Sequence, residues 1–180
     1  MIREIFISFL TGLFVKKTDE LADKRRKKEI GLLAYLLPFL YSLGLSYLIF
    51  FTGASSLFLA GIIGVLLAGK VDHRLHLVGI LPPLFLLPIF QLPQFSLLHF
   101  SIFLFASFLD EKIAKFKEYT QQLLNYRPFL PLSAFLLSIY STNFLYFLSV
   151  LSFDVGYNFA FLKIQPTFSN KESCRKSKKR

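Results

Sequence analysis

The positions of the charged residues limit this chain more than any motif does. Three long blocks lie between its Asp, Glu, Lys and Arg residues: 30–69, 75–109 and 128–162, of 40, 35 and 35 residues, with Asp154 their single charge. None suits one helix. A bilayer core of ~30 Å takes about 20 residues at 1.5 Å rise, so each block holds two helices and a turn. The turn chemistry falls mid-block, at Thr52-Gly53-Ala54-Ser55-Ser56, Gln91-Leu92-Pro93-Gln94 and Ser141-Thr142-Asn143. The expected segments are 30–51, 54–69, 75–90, 95–109, 128–140 and 144–162, six in three hairpins. The fifth is the shortest, and Pro131 suits its first turn.

Composition excludes the main alternatives. Hydrophobic residues make up 54% of the chain, 23 residues are Phe, and 18% are charged against the ~25% usual in soluble domains. The expected fold is therefore an all-α, polytopic helical membrane protein. The net charge of +10 supports the count of segments. The stretches 1–29, 70–74, 110–127 and 163–180 hold 8, 2, 4 and 7 Lys and Arg, which is all 21. With six crossings these stretches share one side, and the positive-inside rule makes that side, with both termini, cytoplasmic in a multi-pass cell-membrane protein. Cys174 is the only cysteine, so neither an internal disulfide nor a cysteine metal site can form.

The chain is expected to divide into an N-terminal helix with a basic linker (1–29), a helical bundle (30–164) and a disordered basic tail (165–180). In the first, Ile2, Ile5, Phe6, Phe9, Leu10, Leu13 and Phe14 recur at helical spacing, with Arg3, Glu4, Ser8 and Thr11 opposite. This amphipathic helix either lies at the cytoplasmic interface, tethered by the cations from Lys24 to Lys28, or packs on the bundle. Residues 110–127 are expected to form a cytoplasmic connecting helix. The basic ends suit the bilayer and its anionic lipid headgroups; no element suggests specific nucleic-acid recognition, and no protein partner is indicated.

A few polar residues need a separate account. Ser56, Ala60, Gly64 and Ala68 form a small-residue stripe that admits a close neighbour, and the same register extended reaches Asp72 and His76. Four prolines, Pro82, Pro83, Pro88 and Pro93, mark either a kinked wall or a broken helix beside a transport path. His99 reads as a core residue bonded to a carbonyl, not as a ligand. Asp154 lies about 13 Å from the nearest anchor, Lys163, and an ionisable group so placed belongs against protein or a wet cavity.

The acids Asp72, Asp110 with Glu111, and Asp154 each stand near the cytoplasmic end of an even-numbered segment. Converging there, Asp72, His76, Asp110 and Asp154 would suit Mg²⁺, with Asp110, Glu111 and Asp154 as catalytic acids and bases. Arg74, Arg127, Tyr157 and Asn158 would bind substrate, with His73 auxiliary. The order Asp110-Glu111, cytoplasmic helix, Arg127-Pro128 resembles the first aspartate region of the UbiA-type membrane prenyltransferases. Their repeated Asn-Asp-x-x-Asp run is absent and the chain is shorter than their bundle, so no residue role carries over. The expected function is a membrane enzyme acting on a lipid or isoprenoid phosphate. The alternatives are a small transporter or channel-like protein, and a membrane assembly or scaffold subunit.

Overall fold

The computed structural model describes residues 1–25, 32–69, 71, 73–116 and 128–162. These are all-helical: α1 (Ile2–Arg25), then a 3-10 turn (Leu32–Tyr35) leading into α2 (Leu36–Phe50), α3 (Ser55–Leu67), α4 (Arg74–Leu86), α5 (Leu97–Phe116), α6 (Phe129–Ser141) and α7 (Leu145–Leu162). Helices α2 to α7 fall on the six expected segments. Their ends follow local chemistry. Gly69 takes a φ of 65° and returns its N–H to the Leu66 carbonyl, which stops α3. Thr142, at φ 52°, ends α6, and the Asn143 side chain accepts the Leu145 N–H to open α7.

Several expectations change. Because α3 stops at Leu67, its small-residue stripe does not run on to His76, which belongs to α4. α5 continues through Asp110 and Glu111 to Phe116, so these acids lie inside a helix and do not open a connecting one. Residues 117–127 and the basic tail lie outside the described residues. Among the described residues no helix is long and apolar enough to cross a membrane. The 13-residue helices α3, α4 and α6 are only about 20 Å long.

α1, α2, α3, α5, α6 and α7 close a ring in which each packs on the next, while α4 lies against α2. The middle hairpin is thus not a packed pair, since α5 finds its partners in α3 and α6. The stripe on α3 explains this. A Cβ at Gly64 would press on Ser107 of α5, and the Ser96 N–H donates to Ser56 Oγ at 3.0 Å. Backbones meet there because the side chains are small.

α1 runs along the bundle and not across its end. Ile5 meets Ser152, Phe9 meets Gly156 and Phe159, and Lys16 meets Tyr157. The pairs advance together, so α1 and α7 are parallel. Its buried face is the one with the polar residues: Ser8, Thr11, Thr18 and Ala22 point inward, while Ile2 and Phe6 are exposed. Ser8 donates to the Ser149 carbonyl and Ser152 to that of Ile5, each at 2.6 Å. Thr11 and Thr18 bond back to Ile7 and Phe14 of their own helix. Large apolar rows face outward, as in Leu36, Phe39 and Leu43 of α2, Leu77, Leu81 and Phe85 of α4, and Leu151, Val155 and Phe159 of α7.

A Cβ at Gly12 would strike the Phe153 carbonyl, whereas at Gly61 it meets nothing. Gly12→Ala therefore lowers stability by about 1–3 kcal/mol, because backbone cannot yield as a side chain can. Gly61→Ala is neutral or stabilising by up to ~1 kcal/mol. Thermal unfolding of both variants in one mild detergent checks the contrast.

Candidate functional site: a cavity at the cation-rich end

The C-terminal ends of α1, α3, α5 and α7 and the N-terminal ends of α2, α4 and α6 gather at one end of the ring. The helices bring Lys16, Lys17, Lys24 and Arg25 of α1, Arg74 of α4 and Lys112 and Lys115 of α5 to that end. A cavity of about 610 Å³ opens among them. Its polar wall comes from Lys16 and Asp19 of α1, His73 and His76 at the start of α4, Glu111 of α5, and Asp154 and Tyr157 of α7. Toward mid-bundle the wall is Leu45, Leu57, Phe58, Ile80, Val150 and Phe153.

Asp19 is where the polar wall is tied together. The Tyr157 hydroxyl donates to its Oδ2 at 2.6 Å, and His76 Nε2 lies 3.3 Å from its Oδ1. Lys16 Nζ stands 4.8 Å over the Tyr157 ring. The Tyr41 hydroxyl donates to the His76 carbonyl at 3.0 Å, and Gly79 makes room for the Tyr41 ring, which a Cβ there would overlap. Three helices therefore converge on one carboxyl group. A carboxylate between a phenol and an imidazole can orient the ring and set which of its nitrogens faces the carboxylate.

The expected site residues divide. Glu111 is buried, Asp154 and Tyr157 are half-buried, and with His76 they line this cavity. Asp110 is buried but serves another purpose: its two carboxylate oxygens accept the Phe129 and Leu130 N–H groups at 3.0 and 2.8 Å, capping α6. Asn158 is exposed and its amide donates to the Asp154 carbonyl in its own helix. Arg74 is exposed in the first turn of α4 and does not line the cavity. Asp72 and Arg127 lie outside the described residues. The magnesium set does not assemble among the described residues, where no three His, Cys, Asp or Glu come together to hold a metal ion. His99 Nδ1 lies 3.2 Å from the Tyr146 hydroxyl and not from the expected carbonyl, and neither residue lines the cavity.

Sequence reasoning passed over Lys16 and Asp19. The available signal was the row Ser8, Gly12, Lys16, Asp19, one turn apart at each step, which continues the small-residue seam of α1 into charged residues. No family model, curated protein or solved structure matches this chain.

With both carboxylate oxygens of Asp110 on α6 amides, Asp110→Ala destabilises the protein by about 1–2 kcal/mol, and Asp110→Asn by less because one acceptor remains. Faster hydrogen exchange at the Phe129 and Leu130 amides, with α1 protection unchanged, checks the assignment.

Proposed function

We propose that this chain is a polytopic membrane protein that receives a lipid or isoprenoid amphiphile in its cavity. The head group sits at the cation-rich, cytoplasmic end, where ionisable side chains are placed to act on it. The observation that carries this is the sorting of the cavity wall along the helices. On α4 the order from the helix start is His73, His76, Ile80; on α7, approaching the same end, it is Val150, Phe153, Asp154, Tyr157. A molecule with one polar and one apolar end matches such a wall, and a continuous polar path does not, so a transporter is the weaker reading. Magnesium is no part of the proposal, because Asp110 is engaged in capping α6.

Two features support a bilayer as the surrounding solvent. Phe85, Ile89, Leu97 and Phe105 are each more than 60% exposed, and an apolar surface shared by most of the helices would be costly in water. Serines, threonines and glycines fill the helix contacts instead, as in bilayers, where close packing and interhelical hydrogen bonds hold helices together. The short helices ask the bilayer to thin locally, at fractions of a kcal/mol per Å. With α1 parallel to α7 the chain crosses seven times. Met1 then lies across the bilayer from the end of α7, in place of the expectation that both termini are cytoplasmic. Among the described residues Arg3 is the one Lys or Arg set away from the cytoplasmic side.

Two measurements test this. In a Cys174→Ser background, Ile2→Cys reacts with an impermeant maleimide from outside intact cells, and the protein stays in the membrane pellet at alkaline pH. Release into the supernatant sinks the membrane reading. Native mass spectrometry of the purified protein shows a retained amphiphile that Leu45→Trp, which fills the apolar end, removes; equal retention by both counts against the cavity.

A further inference from the structure

Two of the three histidines line the cavity, and their surroundings set the same proton position, Nε2, while engaging opposite ring nitrogens. His73 is the N-cap of α4. Its backbone is extended, at φ −118° and ψ 138°, and its Nδ1 accepts the Leu75 N–H at 3.2 Å. A nitrogen that accepts carries no proton, so the neutral ring holds its proton on Nε2. In His76 the engaged nitrogen is the other one. Its Nε2 faces Asp19 Oδ1 at 3.3 Å, and a carboxylate draws the proton to the nitrogen it faces. The lone pair is left on Nδ1. Tyr157, donating to the other oxygen, holds Asp19 in its accepting role.

We propose that His73 and His76 form a donor–acceptor fork for an uncharged hydroxyl head group, the ligand being a long-chain or isoprenoid alcohol. The ligand hydroxyl donates to His76 Nδ1 and accepts from His73 Nε2–H, while its chain lies along Leu45, Leu57 and Ile80. This rests on the amphiphile cavity proposed above and specifies its head group. A hydroxyl is donor and acceptor in one atom and satisfies both rings. An ionised phosphate offers only acceptors; it would meet the His76 lone pair and share the wall with Asp19, Glu111 and Asp154, three acids against the one cation Lys16.

The test uses the full chain with ¹⁵N-labelled histidine in lipid nanodiscs at about pH 8, above the ~6.5 of free imidazole. Nitrogen shifts, assigned through single His→Phe variants, report which ring nitrogen is protonated. The probes are geranylgeraniol and geranylgeranyl monophosphate. The expected result is a proton on Nε2 of both rings, with His76 Nδ1 and His73 Nε2 shifting when geranylgeraniol is added. Geranylgeraniol binds at least about tenfold more tightly than the monophosphate, and His73→Phe or His76→Phe each weakens it about tenfold, while His99→Phe does not. Tighter monophosphate binding, or a His76 proton on Nδ1, overturns the fork and leaves the cavity standing. If neither probe binds the wild type, the amphiphile cavity itself is wrong. The tautomers are read on the wild type, so a variant that fails to fold does not shield the proposal.

Discussion

The close backbone seam between α1 and α7 is the contact on which the rest of the arrangement depends. Gly12 lies under the Phe153 carbonyl and Gly156 under that of Phe9, so each helix supplies the gap the other fills. Ser8 and Ser152 lock the seam with reciprocal bonds to opposite backbones. The consequence reaches the cavity. Only with α1 parallel to α7 and in this register does Asp19 arrive beside Tyr157 and within reach of His76. A helix lying across the end of the bundle would leave the cavity without one wall and His76 without its carboxylate.

The seam also shows which parts of the fold are written locally. Six of the seven described helices follow from blocks with almost no charge and the turns inside them, because spacing between charges and turn residues is short-range information. Gly69 and Thr142 mark two ends to within a couple of residues. The orientation of α1 is different. In water an amphipathic helix turns its Ile and Phe face inward, and on that rule the Ser8–Thr11 face is the outer one. Here Ser8 and Thr11 are buried and Phe6 is exposed. The sequence pattern is the same; its meaning depends on the solvent assumed for the outer face.

Site residues show the same division. Asp154 was legible, since a lone acid in an apolar block must meet protein or a polar cavity, and it lines one. Asp110 was legible as a buried acid near a helix end but not in its role. The amides it holds, those of Phe129 and Leu130, lie across a connection whose path no periodicity reveals. Asp19 was hidden because α1 had no assigned inner face. Once Ser8 and Gly12 are placed inward, Lys16 and Asp19 follow by helical register alone.

The two cavity histidines show how little separates residues that do opposite things. Both stand at the start of α4, one helical turn apart, and residue type and local burial do not distinguish them. Their proton positions come from partners of different range. His73 is fixed by an amide two residues away, a consequence of capping that any helix start with this residue could have. His76 depends on a carboxylate from another helix, brought there by the glycine seam. Disturbing the seam would therefore leave the His73 tautomer in place while freeing that of His76. The donor–acceptor asymmetry of the cavity is thus a tertiary property, set by the backbone contact that holds α1 in the ring.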